Sequence, residues 1–256
     1  MRRSPTIGAL LAACAVLVSI KLAAAQDVPT IHVYGPGGPS SAMLDCAHTF
    51  NARNGANVIV TFGPTARWRE AALHDADLFY SGAENMMTDF VRIFTQIDQT
   101  TIDPLYVRRA IIMVHRGNPQ KINGFADLLR PSVHIMIVQG SGQTGLWEDV
   151  AGRVGDVATI RALRRNIVAF AQDTATAHRI WNSSNPPDAW IALASEHGSY
   201  PDESDAIEVA PNLAIVRDAG IALTTAGDSK PLAKLFYDFV RSPEGLVIFK
   251  RWGWSN

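Results

Sequence analysis

Two patterns of apolar residues alternate along this chain. Short runs rich in β-branched and aromatic residues, such as 31–34 (IHVY) and 58–62 (VIVTF), are typical of strands. Most of them lead into a turn containing Gly or Pro and then into apolar residues spaced three and four apart, as at Met43, Cys46 and Phe50, which indicates a helix packed on one side. Strands are predicted at 31–34, 58–62, 77–80, 106–115, 133–138, 166–170, 189–193, 213–216 and 221–225. The repeated strand-turn-helix unit predicts an α/β fold with mainly parallel sheets and helices on both faces.

The order of these units predicts two lobes. The breaker cluster Gly117-Asn118-Pro119 follows a long apolar strand and precedes a new series of units. The last segment is interpreted as returning to the first lobe. We therefore predict a discontinuous lobe I of residues 26–116 and 210–256 and a lobe II of residues 117–209. The segments 106–115 and 210–216 would be the two crossovers.

The first 25 residues resemble an export signal. Arg2 and Arg3 supply a positive start, residues 7–20 are almost wholly apolar, and three alanines at 23–25 offer a cleavage site. The apolar run is too short for a membrane span. An alternative is lipoprotein processing at Cys14 in the sequence LAAC, which ranks second because the residues after Cys14 continue the apolar run. A periplasmic location is the expectation.

Charge and cysteine content narrow the function further. Without residues 1–25 the chain keeps 20 basic and 24 acidic residues, a formal charge of −4, which argues against a nucleic-acid partner. One cysteine then remains, Cys46, so an intrachain disulfide is excluded. Because Cys46 shares a helical face with apolar residues, we expect it to be buried in the core.

Four strand-to-helix turns are candidates for chemistry. They occupy residues 35–39 (GPGGP), 63–65 (GPT), 81–85 (SGAEN) and 139–145 (QGSGQTG). The start of a helix holds unpaired N–H donors and a partial positive charge, so such turns favour an anion. Ordinary structural turns are the alternative for each one. Ligands in parallel α/β sheets bind beyond the carboxyl ends of the strands, where these turns would lie.

Residues 140–145 also match the dinucleotide pattern GxGxxG. That fingerprint requires a second strand ending in an acidic residue about 20 positions later. Asp156 lies at a Gly-Asp helix start, and Asp173 follows its strand too late. A nicotinamide site is therefore disfavoured.

Longer motifs resemble a known family. The sequences VYGPGGP, TFGPTARW, DADLFYSGAENMMTDF and RRAIIMVHRGNP are similar to the accessory colonization factor C family, which includes major antigenic periplasmic peptides of enteric bacteria. The tail DSKPLAKLFYDFVRSPEGLVIFKRWGW is similar to the end of type II periplasmic solute-binding proteins, the class of the sulfate and molybdate binders. The resemblance implies the two-lobed type II fold, a ligand held between the lobes and delivery to an ABC-type membrane transporter. Family ligands are small oxyanions or phosphorylated and carboxylated organic acids.

The turns and the resemblance together define a candidate site. Its members are mostly uncharged donors, which hold an anion without a metal or cofactor. They are Gly37, Gly38, Ser40, Thr65, Arg67, Ser81, Asn85 and Arg109 from lobe I, and Ser141, Gln143, Thr144 and Trp190 from lobe II.

Three of these assignments have open alternatives. Arg67 is equally compatible with a solvated helix arginine. Arg108 and Arg109 are adjacent in a strand, so at most one faces the cleft, and we include Arg109. Trp190 either lines the cleft or packs in lobe II, and its buried strand favours packing.

Two other classes of protein compete with a binding protein. A secreted hydrolase finds little support, because neither a GxSxG elbow nor HExxH occurs. A surface adhesin using the same fold stays open because fold does not fix function. The sequence also leaves open whether the chain forms a homodimer. We predict a solute-binding protein for a small anion, without catalysis.

Overall fold

The computed structural model describes residues 28–256. The predicted signal peptide and Cys14 lie outside the described residues. Within residues 28–256, no helix has the length and apolar character needed to cross a bilayer.

Within residues 28–256, nine strands and ten α-helices alternate. The strands are β1 (Thr30–Gly35), β2 (Asn57–Phe62), β3 (Leu78–Tyr80), β4 (Asp103–Val114), β5 (Ile135–Val138), β6 (Ile167–Ala171), β7 (Ala189–Leu193), β8 (Asp205–Glu208) and β9 (Val216–Leu223). The helices are α1 (Ser40–Asn54), α2 (Thr65–Asp75), α3 (Glu84–Ile93), α4 (Leu146–Gly152), α5 (Val157–Asn166), α6 (Thr174–Trp181), α7 (Ala194–Ser199), α8 (Thr225–Asp228), α9 (Pro231–Arg241) and α10 (Pro243–Arg251). Short 3₁₀ turns lie at Gln99–Thr101, Phe125–Leu129 and Pro211–Leu213.

The strands pair in the order β2-β1-β3-β9-β4-β7-β5-β6, with β8 also paired to β4. β1 is parallel to β2 and β3, and β5 is parallel to β6 and β7. Every antiparallel pair involves β4 or β9. Each lobe thus has the predicted parallel strands flanked by helices, and the antiparallel pairs come from the two strands that run between the lobes.

One prediction in this region was wrong. Residues 213–216 and 221–225 were expected to be two strands, whereas β9 is a single strand that starts at Val216 and is preceded by a 3₁₀ turn. The polar pair Arg217 and Asp218 interrupts the apolar pattern and hides the continuity of the strand. Pairing with both β3 and β4 supplies the backbone hydrogen bonds that hold it extended.

The buried apolar residues form separate cores on the two sides of these strands. One side draws its core from residues 31–106 and 219–254, and the other from residues 110–215. The change occurs inside β4, between Tyr106 and Ala110, and again between Ile215 and Ala219. We propose these positions as the lobe boundaries, several residues from the bounds at 116 and 210 that the sequence suggests.

Helix α1 shows why the first lobe folds as predicted. Met43, Cys46 and Phe50 are fully buried and lie on one face of the helix. Phe50 packs edge-on against Phe236 of α9, with ring centroids 5.2 Å apart. The expected burial of Cys46 is confirmed.

Candidate functional site

The turn after β1 brings the start of α1 to the gap between the lobes. Ser40 donates its hydroxyl (2.7 Å) and its backbone N–H (3.1 Å) to the carbonyl oxygen of Gly37, which closes the turn. A Cβ on Gly38 would lie 2.8 Å from Nη1 of Arg108. Glycine at this position lets the backbone approach that guanidinium without displacing it.

Two turns of the second lobe face this one. Ser141 and Gly142, after β5, both adopt left-handed backbone angles with φ of 53° and 79°. After β6, the carboxylate of Asp173 accepts the N–H of Thr176 (2.7 Å) and caps α6, which begins at Thr174. The start of α6 is therefore fixed by a side-chain cap, whereas α4 begins after Gly145 without one and is preceded by a backbone hydrogen bond from Leu146 to Gln143 (3.0 Å).

Turns from both lobes surround a cavity of about 140 Å³. It is lined by Gly37, Ser40, Phe62, Gly63, Pro64 and Arg67 from the first lobe, and by Ser141, Asp173, Thr174, Ala175 and Tyr200 from the second. The first turns of α1, α2 and α6 meet at this cavity. Because each helix start carries a partial positive charge, the electrostatics favour a negatively charged occupant.

Arg108 lies at the centre of the interlobe contact and is fully buried. Its Nη2 donates to the carbonyl oxygens of Gly82 (2.8 Å) in the first lobe and Ser141 (3.2 Å) in the second. Its Nη1 donates to Oγ of Ser195 (2.5 Å). One side chain on a crossover strand therefore holds the two lobes together.

The C-terminal segment supports Arg108 from the other side. The guanidinium carbon lies 4.5 Å from the ring centroid of Trp254, a cation–π contact. Ser255 exchanges two backbone hydrogen bonds with Val107 (both 2.8 Å), next to Arg108 in β4. Burial lowers the pKa of Arg108 to about 10, so the group stays charged at neutral pH. Its Nε has no hydrogen-bond partner among the described residues.

A second buried charged group lies behind the wall of the cavity. Glu196, in α7, accepts hydrogen bonds from Nε2 of Gln143 (2.8 Å) and Oγ1 of Thr174 (3.4 Å). Burial raises the pKa of Glu196 to about 7, although Arg108 and Thr174 both oppose the shift. Gln143 thus contacts Glu196, and the cavity wall is formed by Ser141 and Thr174 instead.

The donor set at the cavity suits an anion. Within residues 28–256, no cluster of three His, Cys, Asp or Glu side chains is placed to hold a metal ion. Hydroxyl groups, helix starts and Arg67 surround the cavity, and they can hold an oxyanion by hydrogen bonds.

Comparison with known proteins identifies the family of this chain. The profile of the bacterial extracellular solute-binding proteins matches residues 31–255, nearly all of the described chain. The chain belongs to this family. A curated relative of this solute-binding protein, the molybdate-binding protein ModA of Escherichia coli K12, is 21% identical over 266 residues and covers 96% of both chains.

Solved structures resemble this solute-binding protein over most of its length. PEB3 with bound L-phospholactate is 33% identical with a TM-score of 0.83, and PEB3 from Campylobacter jejuni is 33% identical with a TM-score of 0.78. Each match covers 88% of this chain and 99% of the other. The periplasmic molybdate-binding protein of Azotobacter vinelandii, 14% identical with a TM-score of 0.69, covers 88% of this chain and 99% of its own, and shares the fold. These neighbours support the two-lobed type II fold and the resemblance to major antigenic peptides.

The structure brings only part of the predicted site to the cavity. Gly37, Ser40, Arg67 and Ser141 line it, and Gly38 faces Arg108 beside it. Thr65, Asn85 and Thr144 line a neighbouring cavity of about 190 Å³. Asn85, the second residue of α3, and Thr144, two residues before α4, are both exposed.

Three other predicted residues lie away from both cavities. Arg109 is exposed and points away from the interlobe contact, whereas Arg108 points into it. Trp190 is 0% exposed, in the core of the second lobe, where its ring meets His178 edge-on at 5.3 Å. Ser81 is 0% exposed, and its Oγ accepts the N–H of Gly220 (3.1 Å) in β9.

Three hydrogen-bonding residues of this region were left out of the predicted site, Arg108, Thr174 and Glu196, and two of them carry a detectable signal. Tyr106 and Ala110 are buried apolar residues in β4, and strand alternation places Arg108 on their side. Thr174 follows a strand and an Asp cap, the same strand-turn-helix signal used for the other turns. Glu196 lies in a short helix with no such signal.

The position of Ser81 leads to a testable prediction. Replacing Ser81 by Ala leaves the buried N–H of Gly220 without its partner, so we expect a loss of about 1–3 kcal/mol in unfolding free energy. Anion affinity should stay unchanged. Denaturant unfolding and ligand titration measure the two quantities. Thr144→Ala, at an exposed position, is the control and should change stability by less than about 0.5 kcal/mol. A Ser81→Ala protein with normal stability and weaker binding would make Ser81 a ligand contact.

Proposed function

We propose that this chain is a periplasmic solute-binding protein that captures a small anion between its lobes and passes it to an ABC-type transporter without catalysis. The observation that carries the proposal is that three helix starts and Arg67 meet around one small cavity. Arg108 lies beside this cavity and binds the carbonyl oxygen of Ser141, which lines it. These groups supply positive potential from both lobes, so an anion there is held only when the lobes are together.

The size of the cavity limits the ligand. At about 140 Å³ it is well below the roughly 300–1,000 Å³ of sites for drug-sized molecules. An inorganic oxyanion or a small phosphorylated or carboxylated acid fits this scale. A PEB3 structure contains L-phospholactate, and the relatives from E. coli and A. vinelandii are molybdate-binding proteins, so both ligand types are represented among similar proteins.

In this proposal, Arg108 takes the role that the sequence assigned to Arg109. The ligand would contact Ser40 and the turn at Ser141, with Thr174 completing the wall in the second lobe. Export by residues 1–25 would deliver the protein to the periplasm.

Thermal unfolding with a panel of anions tests the proposal. A ligand that binds only the folded protein stabilises it by about 2.7 kcal/mol at about 100 times its dissociation constant. We expect at least one of sulfate, molybdate, L-phospholactate and citrate to raise the melting temperature. Neutral sugars of similar size should not. A panel in which no anion shifts the melting temperature would argue against anion binding.

A further inference from the structure

Glu196 is a buried carboxylic acid separated from the cavity by one side chain. It is 1% exposed, and its Oε1 accepts the hydroxyl of Thr174 (3.4 Å) and Nε2 of Gln143 (2.8 Å). Thr174 lines the cavity on its other side. Any charge on Glu196 therefore lies close to the place where a small anion would bind.

The groups around Glu196 come from several elements. Arg108 of β4 binds the adjacent residue Ser195, and its positive charge favours the carboxylate form of Glu196. On the opposite side, Nε2 of His178 in α6 lies 4.0 Å from Oε2 of Glu196. Nδ1 of His178 lies 3.2 Å from Oε2 of Glu203, and its ring packs on Tyr200.

His178 offers little compensation for a negative Glu196. Burial lowers the pKa of His178, against the opposing effect of Glu203, so the imidazole is neutral near pH 7. Asp173 is a carboxylate that lines the cavity, and it accepts the N–H of Thr176 (2.7 Å) at the start of α6. Arg108 is thus the full positive charge that faces Glu196.

A bound anion changes this balance. It competes with Glu196 for the positive charge of Arg108, and two negative charges separated by one side chain repel each other in the protein interior. At an effective dielectric constant of about 20, such repulsion corresponds to roughly a tenfold or larger change in affinity. A protonated Glu196 removes the repulsion and keeps its hydrogen bond from Gln143.

We propose that capture of an anion in this cleft is coupled to uptake of one proton, from solvent, by the Glu196 carboxylate. This inference rests on the proposed function and adds its regulation by pH. Neutral pH is near the midpoint of the titration of Glu196, because burial raises its pKa to about 7. A nearby anion raises it further, so affinity increases as pH falls through neutrality.

Calorimetric titration of the whole protein with sulfate measures the coupling. Sulfate keeps the same charge over the neutral range, so any proton taken up belongs to the protein. In two buffers of different ionisation enthalpy near pH 7.5, the difference in binding enthalpy should correspond to between about half and one proton per anion. Affinity should rise by about tenfold from pH 8.5 to pH 6.

Two variants separate Glu196 from other groups. Glu196→Gln imitates the protonated acid, and we expect pH-independent affinity and no proton uptake. Glu208→Gln changes an exposed carboxylate in the same lobe and should keep the pH dependence of the parent. If L-phospholactate binds and sulfate does not, the titration is repeated with L-phospholactate on the parent and on Glu196→Gln. Protons taken up by the ligand itself are the same in both experiments, so the difference between the two proteins gives the proton uptake by Glu196.

Unfolding without ligand reports on Glu196 independently. The pKa of Glu196 in the folded protein, about 7, lies above its ordinary value of 4.5. The folded state therefore binds this proton more tightly than the unfolded state does, and the resulting stabilisation is complete below about pH 4.5 and is lost as pH rises to about 7. We expect a fall in melting temperature across this range that Glu196→Gln lacks.

The outcomes distinguish the inference from the function. Binding with equal enthalpy in both buffers, or an unchanged pH dependence in Glu196→Gln, would overturn proton coupling and leave anion binding intact. A panel with no bound anion would overturn both.

Discussion

Replacing Gly82 by Ala is expected to lower anion affinity by about 100-fold, because it separates the lobes where they touch. A Cβ on Gly82 would lie 2.7 Å from the carbonyl oxygen of Ser141 and 3.1 Å from Nη2 of Arg108. Backbone on the far side of the cleft cannot move away as a flexible side chain can. An overlap of this kind costs about 1–3 kcal/mol, and about 2.7 kcal/mol corresponds to roughly 100-fold in affinity.

The unliganded protein should tolerate the same change. Gly82 does not adopt a left-handed backbone angle, so alanine introduces no local strain there. Gly152→Ala is the control, because Gly152 is exposed in α4 and an added Cβ would meet no atom within 4 Å. Titration gives the affinities, and small-angle scattering gives the radius of gyration with ligand, which should fall for the parent and for Gly152→Ala. Full affinity in Gly82→Ala would show that the ligand is not bound with the lobes in this contact.

Local patterns were sufficient to predict much of this fold. The apolar spacing of α1 and the Gly-Pro turn before it are properties of neighbouring residues, and both occur where expected. The continuity of β9 was not predictable in this way. It depends on pairing with β3 and β4, which are distant in sequence and compensate for the polar residues Arg217 and Asp218.

The turns predicted the region of the site but not which of their residues reach the cavity. Ser40 and Asn85 each lie five positions after a strand, yet Ser40 lines the cavity and Asn85 is exposed. Ser141 lines the cavity, whereas Thr144, three positions later in the same turn, is exposed. Glu196 acquires its role from residues 22 and 53 positions away in the sequence, Thr174 and Gln143. Such a long-range group has no local signature.

The pair Arg108 and Arg109 illustrates the limit of alternation. Successive residues of a strand point to opposite faces, so one of the two arginines faces inward. Which one does so depends on whether the odd-numbered or the even-numbered residues of the strand are buried. The irregularity between Pro104 and Tyr106 shifts the register of β4 at its start, so parity must be counted from the buried positions Tyr106 and Ala110. Counted in this way, Arg108 is the inward residue.

Arg108→Met is expected to reduce anion affinity by roughly 150-fold or more. Methionine fills much of the space but cannot donate to the carbonyl oxygens of Gly82 and Ser141, so the hydrogen bonds that join the lobes are lost. Hydrogen bonds to a charged group contribute about 1.5–3 kcal/mol each, and 3 kcal/mol is roughly 150-fold in affinity. The positive charge at the interlobe contact also disappears.

Two further variants define what Arg108 supplies. Arg108→Lys keeps the charge and loses the planar fork, so an intermediate affinity would indicate that both contribute. Arg109→Met removes an exposed arginine from the next position and should leave affinity within about twofold, since exposed substitutions change free energies by less than about 0.5 kcal/mol. Titration of all three proteins, with melting temperatures recorded in parallel, separates loss of binding from loss of folding. If Arg109→Met abolished binding while Arg108→Met retained it, the ligand would lie outside the interlobe contact and the assignment of the cleft to Arg108 would be wrong.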